Sequence, residues 1–385
     1  MTFAQFRGFF GVAFFTAAFA SGAGAQSYVV TDLGTLNSNG LLASFAYGVN
    51  DSGTIVGNSN VRSASDYNAF SYANGAIKNL GTLGNGADSE ATGVNNSGVV
   101  VGDSFTVGSI AHAFAYTGGA MNDLGTLGGS RSFGEAINSA GVAVGYAELS
   151  GNAIDHAFTY DTTKIGTATP DVMHDIGTLG GNASFAYGIN DSGAIVGSSN
   201  PLGGSNNHAF YYAKGVMTDI STLSSLANAN SFALGVNSSG VTVGYSDTGV
   251  PGQTQAFVYT KAGGIQPIGG TLAKATSSRA SGINSSGDIV GYTTAPNGSS
   301  TTNIAFLYSG GNLTTLDSLA PASNWKFQFA YGINSSGTII GFGVNPKGAT
   351  HAYALSRATP APSSFLLAVC GAGGIGLAVR RKRKV

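Results

Sequence analysis

A ten-residue pattern that occurs seven times sets most of what this chain can become. It first reads Gly48-Val49-Asn50-Asp51-Ser52-Gly53-Thr54-Ile55-Val56-Gly57 and returns from Gly93, Ala136, Gly188, Gly235, Gly282 and Gly332. Its Asn falls at 50, 95, 138, 190, 237, 284 and 334, so the spacing runs from 43 to 52 residues. Self-similarity at this period points to a repeat architecture rather than to two or three ordinary domains. The pattern reads as a hairpin. Asn at the first turn position and Gly three later suit a type I turn, and Gly can take the left-handed conformation that follows it.

Two more parts recur in each unit. One is Ala-Phe-x-Tyr, as in Ala69-Phe70-Ser71-Tyr72, Ala113-Phe114-Ala115-Tyr116 and Ala305-Phe306-Leu307-Tyr308. Phe and Tyr two apart share one face of a strand, and both favour strands. The other is a strand such as Asn122-Asp123-Leu124-Gly125-Thr126-Leu127, reached through a short gap like Asn74-Gly75 or Gly118-Gly119 that reads as a hairpin turn. Two hairpins per unit predict four strands, the content of a propeller blade. No stretch between residues 26 and 358 shows a helical period.

The expectation is therefore all-β: a seven-bladed β-propeller of four-stranded blades. The first unit opens at Tyr28-Val29-Val30-Thr31-Asp32 without an Ala-Phe-x-Tyr strand, and the missing strand appears as His351-Ala352-Tyr353-Ala354-Leu355. Pairing of these N- and C-terminal strands closes the ring and removes two exposed sheet edges. An open β-solenoid with capped ends is the rival arrangement.

Composition agrees with this and excludes several functions. Charged residues are only 9%, against 60 Gly. Five of the 17 basic residues sit in Arg380–Lys384 and one is Arg7, which leaves 11 against all 18 acids in the body, a net of −7. Such a body lacks the basic stripe that nucleic-acid binding needs. The single Cys, Cys370, lies outside the body, so disulfides, thiolate-metal clusters and a Cys nucleophile are excluded there.

The His-Ala-Phe triplets at 112–114, 156–158 and 208–210, each followed by an Asp-Leu/Ile-Gly-Thr-Leu-like strand and the Asn hairpin, resemble the bacterial extracellular HAF repeat family. The likeness spans about residues 28–356, with Asn68, Gln255 and Ile304 in place of His in three units. It implies an extracellular location and carries no catalytic residues to transfer.

The ends carry addresses. Residues 1–25 read as a signal peptide, with Arg7, an apolar run over 8–20 and a small-residue site at Ala23-Gly24-Ala25. The body is taken as 26–358. Residues 359–364 form a Pro-rich linker, 365–379 an apolar segment and 380–385 a basic tail. This order is similar to the PEP-CTERM sorting signal processed by exosortase-type enzymes, with Pro360-Ala361-Pro362 where Pro-Glu-Pro is usual. The apolar segment is short for a full span, and the basic cluster belongs on the cytoplasmic side. The implied course is export, retention at the inner membrane through 365–379, then release to the cell surface or medium. The implied partners are a transpeptidase-like protease of the exosortase type, the membrane, and exopolysaccharide or surface proteins.

Candidate sites are few. His112, His156, His208 and His351 hold equivalent positions, too far apart around a ring for one ion with ligands at ~2.0–2.1 Å; hydrogen bonding within each blade is the better role. Asp32, Asp123, Asp175 and Asp219 recur before Leu/Ile-Gly or its variant and raise calcium as a candidate cofactor, but no Asp-x-Asp loop accompanies them. The Asn-x-Ser triplets are turn chemistry rather than glycosylation acceptors. No Gly-x-Ser-x-Gly elbow, Walker loop or His-Glu-x-x-His motif occurs. Asymmetry resides in an insertion, 161–171, and in the stretch 319–329 with the only Trp, Trp325, a candidate ligand contact. The expectation is a non-catalytic binding or structural module for protein or exopolysaccharide, with no catalytic, cofactor or metal residues. The alternative is a polysaccharide lyase or hydrolase with carboxylates converging on the propeller funnel.

Overall fold

The computed structural model describes residues 27–37, 42–151, 154–220, 229–268, 275–298 and 300–358. The signal segment, the sorting motif Pro360-Ala361-Pro362, the apolar segment and the basic tail lie outside the described residues. Seven antiparallel four-stranded sheets form a closed ring, a seven-bladed β-propeller. From the axis outward, blade 1 is Ser44–Val49, Ile55–Asn60, Tyr67–Ala73 and Ala76–Gly81. Blade 2 runs from the inner strand Ser89–Val94 to Ala120–Asp123, blade 3 from Gly128–Ile137 to His174–Asp175, and blade 4 from Gly180–Ile189 to Val216–Asp219. Blade 5 runs from Ser231–Val236 to Gly264–Pro267 and blade 6 from Ser277–Ile283 to Asn312–Thr315.

Blade 7 completes the circle. Its inner three strands are Lys326–Ile333, Ile339–Val344 and Thr350–Arg357, and its outer strand is the N-terminal Tyr28–Asp32. Val30 faces Leu355 and Asp32 faces Tyr353 in this pairing. The ends therefore close the ring as expected, but the sequence unit and the blade are out of phase by two strands. Ala-Phe-x-Tyr and the strand after it finish one blade, and the Asn hairpin opens the next. It is the first strand that completes the last blade.

Each core lies between blades. Phe70, Phe114, Phe158, Phe210, Phe257 and Phe306, with Tyr353 in the seventh place, are almost fully buried. Phe158 of blade 3, for instance, packs with Val101 and Ala113 of blade 2. The short gaps form tight hairpins, with positive φ at Asn74 and Gly75 and at Gly118 and Gly119. Among the described residues, one four-residue helix, Leu316–Leu319, and three short 3-10 turns add to the strands; single turns are too short to show a sequence period.

Candidate functional site

The Asn hairpins surround the axis at one end. Gly53 N–H donates to Asn50 O at 3.1 Å, with φ of +83° at Gly53, and the other six hairpins repeat this bond. The Asn side chain has a second role that its turn position does not reveal. Each Asn Nδ2 donates to the backbone carbonyl of the next blade's Asn: 50 to 95, 95 to 138, 138 to 190, 190 to 237, 237 to 284, 284 to 334, and 334 back to 50. Its Oδ1 meanwhile accepts the hairpin's own N–H, as from Thr54 to Asn50. The Asn side chains thus link all seven blades in one closed circuit.

The inner strands place a second feature on the axis. In every blade the inner strand breaks register at the third residue before the Asn, a β-bulge. The bulged residues are Tyr47, Thr92, Glu135, Tyr187, Leu234, Ser281 and Tyr331, and all seven line one axial cavity of about 430 Å³. A bulge re-aims a side chain, and here it aims one from each blade at the same space. Glu90, Phe232 and Arg279, two residues earlier, and Tyr245 and Tyr292 from second strands complete the lining. Beyond the bulges a ring of Val49, Val94, Ile137, Ile189, Val236, Ile283 and Ile333 separates this cavity from a smaller one at the Asn mouth.

Two glycine positions explain the repeat. A Cβ on the motif's last Gly, such as Gly197, would lie 1.9 Å from Phe185 O of the bulged inner strand. A Cβ on its first Gly, such as Gly48, would lie 2.7 Å from Thr92 O of the next blade. The last Gly leaves room for the bulge in every blade, and the first lets inner strands approach closely in all but blade 3, which carries Ala136 there.

The cavity perturbs its acids. Burial, reinforced by Asp103 and Glu90, pushes the Glu135 carboxyl up to about 8. Burial also raises Glu90 to about 7, against the hydrogen bond from Asn58, and raises Asp103 to about 7 with help from Glu90. Glu135 retains accessible surface, but that surface lines the cavity, so burial still weighs on its charged form. Burial first, then neighbouring charges, raise the phenols of Tyr47, Tyr146 and Tyr331, and burial likewise raises Tyr187 against a hydrogen bond to Ser198.

The residues singled out in the sequence lie elsewhere. His112, His156, His208 and His351 contact Asp123, Asp175, Asp219 and Asp32 through Nδ1 at 2.6–2.8 Å. Asp32, Asp123 and Asp175 also accept a backbone N–H two residues on, as from Gly125 to Asp123. Blade 1 replaces the pair by Asn68 and Asn79, 3.0 Å apart. His174 meets Asp171, which also ties the insertion back at Asp161 N. Among the described residues no group of His, Cys, Asp and Glu is arranged to hold a metal ion. Trp325 is 6% exposed and stacks on Phe327 beside Tyr353 in the blade 6–blade 7 core. Its indole faces protein, so a ligand contact there is not carried forward.

No protein-family model matches the chain, and no curated protein matches it. Among solved structures it is similar to a protein described as TolB from Agrobacterium tumefaciens, at 11% identity over 74% of this chain and 94% of that one, TM-score 0.46. A gluconolactonase from Xanthomonas campestris matches at 8% identity over 87% and 92%, TM-score 0.39. A lectin from Aleuria aurantia matches at 11% identity over 84% and 96%, TM-score 0.33. Likeness at this level carries no functional argument, and the fold stands on its own blade geometry. No helix among the described residues is long and apolar enough to cross a membrane.

Proposed function

We propose that this is an exported bacterial propeller of the cell surface or extracellular matrix that binds its ligand, without catalysis, in the axial cavity. One observation carries the reading: the bulged residue varies from blade to blade while its sequence neighbours hardly do, and all seven face one cavity. A purely structural ring would have no use for Glu, Leu, Ser, Thr and Tyr at equivalent positions around a shared space. Export and an extracellular site are supported by the signal-like residues 1–25 and the HAF-type repeats. The tail from Pro360 to Lys384 supports retention at the inner membrane and processing by an exosortase-type enzyme.

Two experiments test this. Fractionation of a host expressing the full chain, with and without Arg380–Lys384, reads the tail; unchanged retention and processing would count against a sorting signal. A screen of extracellular glycans and surface proteins reads the cavity; absence of any saturable ligand would leave only a structural role.

A second reading, polysaccharide cleavage, is favoured by Glu90 and Glu135 entering one cavity from adjacent blades with raised pKa values. A glycosidase needs two carboxyls about 5–9.5 Å apart, one of them protonated near neutral pH. Release of reducing ends that stops in Glu135→Gln would establish it; polysaccharide bound but uncut would reject it.

A further inference from the structure

The cavity lining is polarised. Five residues before the Asn, five blades carry Phe: Phe45, Phe133, Phe185, Phe232 and Phe329. Blade 2 carries Glu90 there, and blade 6, across the ring, carries Arg279. The bulge of blade 3 adds Glu135, so the lining acids lie on blades 2 and 3, with Asp103 of the second strand of blade 2 close behind them. No Lys or His lines the cavity among the described residues, and the Arg279 guanidinium lies 4.3 Å over the Tyr245 ring. Glu135 has no hydrogen bond or ion pair to oppose its burial. Asn58, buried behind the lining, gives its amide N–H to Glu90. Two carboxyls thus face the cavity on one side, while its one lining cation among the described residues, Arg279, lies over Tyr245 on the other.

Resting on the reading of the cavity as the binding site, we propose that its ligand is an amino sugar whose protonated amine sits at Glu90 and Glu135. Tyr47, Tyr187 and Tyr331 supply the faces against which the sugar ring packs. Aromatic rings attract ammonium groups through the quadrupole and cover the apolar face of a sugar. A cavity of about 430 Å³ suits one or two sugar units rather than a protein segment. Among the described residues no group of three or more His, Cys, Asp and Glu is arranged to hold a metal ion, and the charge proposed for the acidic side of the cavity is an organic ammonium.

The groups facing Glu135 are Glu90, Asp103, Tyr146 and Tyr187. All are acids, so nothing but the ligand favours ionisation there. Binding therefore releases a proton from the carboxyls on the acid side of neutrality and weakens again once the amine loses its own proton, so affinity rises from about pH 6 to a maximum near neutrality.

The test is calorimetry of the full-length chain with a de-N-acetylated glucosamine dimer and with its N-acetylated twin, at about pH 6 and about pH 8. The expected result is binding of the amine at least about tenfold tighter than of the acetamide, with an enthalpy that depends on the buffer's own protonation heat. Glu135→Gln and Glu90→Gln are each expected to weaken the amine about tenfold while their melting curves show an intact fold. Equal affinity for the two dimers, or amine binding untouched by both Gln variants, would overturn the inference. Spermidine bound as tightly as the amine dimer would overturn its sugar part. If neutral glycans bind and a Ser281→Trp plug blocks them, the amine inference fails and the cavity reading stands. If nothing binds that the plug can block, both fail.

Discussion

A single Asn side chain in this ring serves two blades. Asn190 Oδ1 accepts from Ser192 N and Ala194 N, which holds its own turn, while Nδ2 donates to Asn237 O in the next blade at 2.8 Å. Asn190→Asp keeps the acceptor, deletes the inter-blade donor and places a charge against a buried carbonyl. It is expected to destabilise the protein by about 2–4 kcal/mol at neutral pH in urea denaturation, and by less in acid. Equal stability of Asn190→Asp and the parent would remove the circuit as a source of cohesion. Glu135 behaves in the opposite way. Its folded pKa of about 8 lies above the ordinary 4.5, so the folded state holds more protons than the unfolded one between those values. Stability must then fall as pH climbs through that window. Glu135→Gln is expected to flatten this decline and to add on the order of 1–2 kcal/mol at about pH 8. A parent whose melting temperature rises from about pH 5 to about pH 8 would contradict the burial of this acid.

The element that carries the design is the bulged inner strand against its glycine. Gly197→Ala sets a methyl group into Phe185 O and the Phe210 ring, and is expected to cost about 3 kcal/mol or more or to prevent soluble expression. Ser281→Ala, at a bulge that only faces the cavity, is expected to stay within about 1 kcal/mol of the parent. Comparing the two melting curves separates the frame from its variable face. The frame was legible in the sequence because turn and strand chemistry are local: Asn, Gly and the Phe-x-Tyr strand state their roles within a few residues. The His–Asp pairs were half legible. Asn68 and Asn79 change together, as do Gln255 with Pro267 and Ile304 with Thr315, a signal in plain view once the two positions are set side by side. The cavity was not legible from alternation alone, because a bulge breaks the period of two that assigns faces. Yet the residue between Ala and Gly before each hairpin, as in Ala46-Tyr47-Gly48 and Ala91-Thr92-Gly93, varies while its neighbours hardly do. Trp325 lies in a variable stretch, which suggests a ligand contact, whereas its size fills the junction between blades 6 and 7.

At the scale of the whole molecule, closure and function meet on one axis. The strand Tyr28–Asp32 covers the edge of Thr350–Arg357, and Asp32 ties it to His351 at 2.7 Å. Deleting Tyr28–Asp32 exposes that edge and is expected to turn a monodisperse species into aggregates or edge-paired oligomers on size exclusion; an unchanged monomer would show that blade 7 stands without its outer strand. The central claim is that the repeats build a ring so that their variable bulge position can line a binding cavity. Filling that cavity tests it directly. Ser281→Trp places a large side chain in the lining, and its control is Leu202→Ser, at an exposed loop tip. In a glycan-binding screen of the full chain, the account predicts saturable binding by the parent and by Leu202→Ser and none by folded Ser281→Trp. Binding that survives in Ser281→Trp would place the ligand outside the axis and contradict the account.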